Sequence, residues 1–416
     1  MKRSAAFFVF ILCMASVGVP CTGQDSGKWF TPGNLWRMLT APNKNLDPDY
    51  IYQMPVHFTV SPDYKWTKTG ASLDSDVVSG TGEDAITGNI SLKLRDRAYN
   101  SLGAKLSYGP LSLGYSFEVG KHENVNKSNS IKLYASSYGV QARYSALKQN
   151  VAAALHIDGA EDPFSDYVFE SSYPASMKTI EVDGYYAMNR RKFSYVAAFD
   201  GGKILQRRSA GSVVFVGKYS RGTLSIDPKD EAILNVMAYT GEFLTSQLSF
   251  GAGYSHNFVF FHHDPGDGKF KGLRNLTLSL NLSPTISFVN DITMTRYVYP
   301  KWSDVTEKYL SSMGYDSYVD DRDGEAVRRL YYEGTEKGEK HKVKGILQPN
   351  LVARTGVFWA MDRFYLNAYA DYSMVHFNGG KQHYTASQSG TGEDYSVKTK
   401  GNFTQLIVGV NVGIRF

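Results

Sequence analysis

The chain has 416 residues and a formal charge of +5, to which Lys2 and Arg3 contribute two. So small a charge on so long a chain does not point to nucleic acid. Both cysteines, Cys13 and Cys21, stand near the start, which excludes a disulfide-stapled domain downstream.

Residues 1–23 read as a cleaved signal peptide. Lys2 and Arg3 form the basic start, Ala5 to Val19 the apolar run, and Cys21-Thr22-Gly23 the small-residue cleavage site. A lipoprotein reading would acylate Cys21, but Pro20 before it fits that poorly. A transmembrane anchor would need about 20 apolar residues. Residues 24–48 read as a leader in the periplasm. Trp29 to Leu39, with three aromatics and Pro32-Gly33, suits a short helix, a lumen plug or a plain leader.

From residue 49 to 416 the pattern has a period of two. Leu102, Ala104, Leu106 and Tyr108 alternate with Gly103, Lys105 and Ser107. After Gly109-Pro110 the row resumes as Leu111, Leu113, Tyr115, Phe117 and Val119. A two-residue turn there pairs Tyr108 with Leu111 and keeps both rows on one face. Similar rows run through Leu92, Val140, Leu248, Leu278, Val357 and Leu366. The last row, Leu406, Val408, Val410, Val412, Ile414 and Phe416, alternates with small or polar residues apart from Ile407. Such alternation lets one face meet lipid and the other a hydrated lumen. Val410, Val412, Ile414 and Phe416 resemble the terminal signal by which outer-membrane barrels are inserted. Aromatics at 14% and 39 Gly, without a second long apolar run, agree with this reading. The fold expected is all-β, a transmembrane up-and-down antiparallel barrel of about 12 strands, within a range of roughly 10–14, with short periplasmic turns and long extracellular loops. Residues 121–130, 159–176, 262–271, 300–344 and 378–399 read as those loops.

Few residues suggest chemistry. His262, His263, Asp264 and Asp267 bear metal-ligand side chains, but Pro265, Gly266 and Gly268 favour a solvated turn. Asp320, Asp321, Asp323 and Glu325 miss the calcium-loop spacing, which would put Val319 first and Leu330 twelfth. Ser255 and His256 are adjacent, so a strand would point them to opposite faces, and no Gly-x-Ser-x-Gly elbow occurs. No enzyme activity and no cofactor or metal are expected. Arg190, Arg191, Lys192, Lys203, Arg207 and Arg208 crowd six cations into nineteen residues. On a lumen wall these would form a salt-bridge lattice with Glu181, Asp183 or Asp200, or an anion-selecting constriction. Near a rim they would meet lipopolysaccharide phosphates.

Asn189 to Tyr195, Ala197-Ala198-Phe199 and Gln206 to Ser212, with Asp49-Tyr50-Ile51 and Tyr138-Gly139-Val140, resemble the landmarks of a Bacteroidota family of uncharacterised proteins, domain of unknown function 4421. The resemblance covers about residues 45–416. It implies an outer-membrane barrel in a Gram-negative bacterium and supplies no activity. The expected role is a passive channel or ligand-binding barrel with a polar, partly cationic lumen. The alternative is a plugged structural or assembly component binding partners through its long loops, and a lipid-modifying or proteolytic barrel comes last. Outer-membrane lipid, lipopolysaccharide and the barrel-assembly machinery are the partners expected.

Overall fold

The computed structural model describes residues 45–79, 86–120, 126–158, 168–199, 203–266, 270–313, 321–385 and 394–416. The signal-peptide expectation, and the leader apart from residues 45–48, lie outside them. In chain order the elements are β1 (Ile51–Gln53), β2 (Phe58–Ser79), β3 (Ile86–Tyr108), β4 (Leu111–Val119), β5 (Lys127–Tyr134), β6 (Tyr138–Gln149), β7 (Val151–Ile157), β8 (Val168–Glu170), β9 (Ala175–Ala187), β10 (Ile204–Gln206), β11 (Ala210–Ser225), α1 (Glu231–Val236), β12 (Thr240–His263), β13 (Arg274–Val298), α2 (Trp302–Met313), α3 (Asp321–Glu333), β14 (Glu336–Lys344), β15 (Gln348–Met361), β16 (Phe364–Thr385) and β17 (Asp394–Arg415).

Among the described residues, twelve antiparallel strands close a ring in the order β2, β3, β4, β5, β6, β9, β11, β12, β13, β15, β16, β17 and back to β2. The protein is a transmembrane β-barrel with the strand number expected. Tyr108 pairs with Leu111 across the Gly109-Pro110 turn, where Gly109 takes φ +51°, a conformation that suits glycine. β14 and β15 both pair with β13 and act as one wall strand, interrupted at residues 345–347. β7 pairs with the upper part of β3, above the short β4, and β8 adds to β7.

The outer face explains how the barrel sits in lipid. On β17 the exposed side chains are Val408, Val410, Val412, Ile414 and Phe416, whereas Ile407, Asn411 and Arg415 point inward and are buried. On β13 the exposed apolar residues cluster between Leu280 and Val289, with Val298 standing alone at the far end. Each row covers about ten residues, the span a tilted strand needs to cross a bilayer. Yet β2, β3, β12, β13, β16 and β17 have 22 to 25 residues. Their far halves therefore project beyond the belt, and there the outer face carries Lys337, Lys340 and Lys342. Those far halves end in the longer connections, including α1 and the α2–α3 hairpin; this is the loop end. The belt half carries the short turns and the chain ends; this is the terminal end.

Two expectations are corrected by this geometry. Of residues 262–271, His262 and His263 end β12, and the connection to β13 lies at the terminal end, beside the short turns, because strand parity rather than polarity decides on which side a connection lies. Residues 378–399 are largely strand, since β16 continues to Thr385 and β17 starts at Asp394. Beyond the lipid belt the outer face of a wall strand meets water, so the outward apolar row that marks a strand in the belt stops.

Candidate functional site

An eight-stranded barrel fills its interior with side chains, and a wider ring leaves space. Here the terminal end of that space is stoppered by the chain itself. After β9 the chain turns inward over residues 188–209, and its β10 pairs antiparallel with β1, Ile51 opposite Gln206. Phe193, Ser194, Ala198 and Leu205 are fully buried, and Phe199 nearly so. Ala198 and Leu205 pack with Met54, Phe270, Leu273, Phe358, Ala360 and Tyr365, and Phe193 with Ile51, Tyr185 and Val214.

Gln206 is the hub of this plug, with no exposed surface. Its Nε2 lies 2.6 Å from the Lys192 carbonyl, 3.0 Å from that of Arg208 and 3.1 Å from that of Tyr50. Its Oε1 accepts from the Ser194 amide at 3.0 Å and from Asn257 Nδ2 at 3.1 Å. One side chain thus ties β1, both arms of the 188–209 connection and the wall strand β12. Wall asparagines complete the seat: Asn257 and Asn275 donate to the carbonyls of Ser194 and Gln206 at 2.7 and 2.9 Å, and Asn367 donates to Ala198. Burying so many backbone groups is tolerable only because they are paired.

The six cations do not gather on a lumen wall. Arg190, Arg191, Lys192 and Arg208 are exposed at the terminal end, and Lys203 and Arg207 are partly buried. The chain there is a folded-in connection rather than wall strands, so its charged side chains turn outward while its apolar ones fill the barrel. Lys203 reaches inside, its Nζ 2.8 Å from Ser112 Oγ. Lys192 lies over the Tyr50 ring at 4.8 Å. Arg207 grips Asp264 through Nη2 at 2.6 Å and Nε at 3.2 Å, donates to the Pro48 carbonyl, and lies over Tyr52 at 5.2 Å. Asp264 also accepts from His262 Nε2 at 2.9 Å. Two of the residues weighed as metal ligands, His262 and Asp264, thus form a clip between the end of β12 and the plug; Asp267 lies outside the described residues. Burial works against the charge of Asp264, but hydrogen bonds from His262 and Arg207 outweigh it and hold its carboxyl below the usual range. Ser255 points inward and donates to the Leu280 carbonyl, whereas His256 lies on the outer face 3.2 Å from Tyr254, so the two do not meet.

The charged layer of the lumen belongs to other residues, of which sequence reasoning singled out only Glu181 and Asp183. Lys218 lies 3.1 Å and Arg143 3.7 Å from Glu181. Arg354 pairs with Asp371 at 2.7 Å and stands 4.3 Å from the Phe199 ring, linking wall to plug. These residues are spread over β6, β9, β11, β15 and β16, so only ring closure brings them together. Their signal in the sequence was a lone charge at an inward position of an otherwise apolar-alternating row.

Three cavities run from the plug towards the loop end. The first, of about 100 Å³, touches Phe199 and is lined by Lys65, Lys105, Lys132 and Arg143 among mostly polar groups. A second, of about 120 Å³, shares Arg143, Arg354 and Asp371 with it. The third, of about 170 Å³, meets the second at Glu181 and Lys218 and is lined by Leu73, Leu92, Leu94, Leu224, Phe243 and Phe377. Ile233 and Leu234 of α1, in the β11–β12 connection, belong to the same apolar cluster as Leu92 and Leu94.

Solved structures with some likeness are outer-membrane barrels. They include the Pseudomonas putida toluene transporter TodX, at 8% identity, 93% of each chain and a TM-score of 0.21. A Pseudomonas aeruginosa FadL homologue follows at 7% identity, 86% of this chain, 90% of that one and a TM-score of 0.20. The InvG secretin barrel from Salmonella has 8% identity, 87% and 64% coverage, and a TM-score of 0.13. At such TM-scores no functional argument follows from them. No curated protein matches the chain. The stretches that carry the sequence resemblance converge on the plug. Asp49-Tyr50-Ile51 leads into β1, Asn189 to Phe199 supplies the buried arm, and Gln206 the hub. Tyr138-Gly139-Val140 belongs to the hairpin whose Ser136 carbonyl accepts from the Tyr195 amide. Residues 46–398 match the family described as a domain of unknown function, DUF4421, and the chain belongs to that family.

Proposed function

We propose that this protein is an outer-membrane barrel that holds a small ligand in its lumen and bars free diffusion with its built-in plug. The observation that carries this reading is the arrangement along the axis: adjoining cavities that share lining residues lie between the loop end and Phe199, and below them the Gln206-centred plug packs across the barrel. The terminal end, with its short turns, then faces the periplasm, and the charged projecting half faces outward. The reading uses no covalent chemistry.

Planar-bilayer recording on the folded barrel tests it. The native protein is expected to show no steady conductance. A variant with residues 190–208 replaced by a short Gly-Ser linker is expected to open in discrete steps, with folding verified by the unboiled gel shift. A native barrel that conducts as freely as this variant would overturn the plugged reading.

A structural role through the loops is the second reading, favoured by the aromatic cluster at the loop-end rim. There Tyr299 stacks on Tyr331 at 5.2 Å, Trp302 meets Tyr331 at 5.0 Å, and Trp302 remains half exposed. Such a patch suits a protein partner. Co-purification that is lost on removing residues 302–333 would support it.

A further inference from the structure

We infer that the lumen ligand is a short single-chain amphiphile with an anionic head, its chain in the loop-end cup and its head in the polar chamber above the plug. The inference rests on the ligand-binding reading above and names the class of ligand.

The argument starts from the way the lumen changes character along its axis. A passive aqueous pore needs polar lining throughout, yet the cup is walled by Leu73, Leu92, Leu94, Leu224, Phe243 and Phe377. This apolar section lies in the part of the barrel that projects beyond the lipid belt. On β17 the inward Phe403 of the cup stands five residues above Val408, where the exposed apolar row begins. An apolar lining there does not follow from contact with lipid, and it favours an apolar guest over water. An apolar cavity of about 150 Å³ takes up benzene in a different protein. At about 170 Å³ the cup suits a chain of roughly six carbons or a single ring.

Below the cup the chemistry inverts within one layer. Lys218 and Glu181 line both the cup and the next cavity, and Arg143 lines both that cavity and the chamber resting on Phe199. Along these two lower cavities six cations, Lys65, Lys105, Lys132, Arg143, Lys218 and Arg354, meet four carboxylates, Asp63, Glu181, Asp183 and Asp371, with a fifth, Glu118, buried beside them and accepting from the Asn126 amide. The excess is positive. Cations held in a dry wall favour an anion, and a carboxylate or phosphate head brings several acceptors to them at once. A cationic head meets net repulsion, and a simple anion leaves the cup unused. An anionic amphiphile engages both halves.

The test uses the full chain, purified from membranes and placed in phosphatidylcholine nanodiscs, with empty nanodiscs as the blank. Octanoate, acetate, octan-1-ol and octyltrimethylammonium are titrated by saturation-transfer NMR. Octanoate is expected to bind at least ten-fold more tightly than each of the other three. The double variant Lys105→Gln/Lys132→Gln is expected to weaken octanoate about ten-fold and leave octanol unchanged. Leu92→Trp, which fills the cup, is expected to abolish octanoate binding. Both variants are checked for folding by the gel shift, and the lysine variant carries the test alone if Leu92→Trp does not fold. Acetate or octyltrimethylammonium binding as tightly as octanoate would overturn the inference, as would a lysine variant with native affinity. Octanol matching octanoate would overturn the anionic head and leave a lumenal binding site standing. No binding by any probe would overturn the ligand class. The function itself would fall with it only if native bilayer recordings also showed an open pore.

Discussion

At the scale of single residues, stability at the terminal end concentrates on a few polar side chains. Gln206→Leu keeps the volume but leaves buried carbonyls and amides without partners, each worth roughly 1–3 kcal/mol. This variant is expected to lower the temperature at which the unboiled gel shift is lost, and to let bilayer recordings flicker where native ones are silent. The Arg207–Asp264 clip carries a pH dependence whose sign follows from its geometry. The folded Asp264 carboxyl is held below its usual range, so its contribution is fully present above the unfolded value of about 3.9 and is lost as pH falls through the depressed folded value. Flicker is therefore expected to appear as pH drops below about 4, and Asp264→Asn is expected to flicker at neutral pH as well. Gln206 stood in plain view within a stretch that resembled the family, but an uncharged amide among arginines draws no notice. Nothing in the local sequence shows that it sits at the junction of four separate segments.

Elements were legible where lipid enforces a period. Every row of alternating apolar residues in the belt is a wall strand, because a strand facing hydrocarbon on one side and the lumen on the other has no freedom in its pattern. The same strands were lost to view beyond the belt, as in β16 past Phe377 and in β14, where the outer face is wet. The 188–209 connection misled for a related reason: its apolar residues are buried as deeply as a core, yet among its described residues the one strand is the three-residue β10. The belt itself predicts a graded response. Val410→Lys places a charge on the lipid face and is expected to cost about 2–4 kcal/mol if the position lies at mid-bilayer, read by denaturant unfolding from lipid vesicles. Asn411→Lys, one residue along and inward, is expected to cost less. Gly139 gives a steric counterpart: a Cβ there would come within 2.6 Å of both Tyr134 and Tyr185. Gly139→Val is therefore expected to disturb the hairpin on which Tyr195 docks, seen as lost near-ultraviolet circular dichroism.

At the scale of the whole molecule, the strand number was accessible from the sequence and the state of the lumen was not. Alternating rows and their spacing lead to about twelve strands in one dimension, but whether the ring encloses water, side chains or a returning segment depends on contacts between residues such as Ile51 and Gln206, or Asn367 and Ala198, that are remote in sequence. Ser194, wholly buried in the plug, offers a reporter. Ser194→Cys is expected to resist a water-soluble maleimide in the native barrel and to react when combined with Gln206→Leu, whereas Arg191→Cys, at an exposed position, is expected to react in both. Equal labelling of Ser194→Cys in the two backgrounds would count against a seated plug. The plug is also a connection rather than a separate domain. Its main arm is fastened to β9 on one side and β11 on the other, and β1 is joined to β2 by residues 54–57 alone. An unseated plug therefore cannot diffuse away. Its return is a first-order event, independent of how many barrels share the membrane, and closing a chain of this length takes well under a millisecond. Openings would accordingly be brief and self-limiting, with the dwell time set by the hydrogen bonds around Gln206 and by whatever occupies the lumen above it.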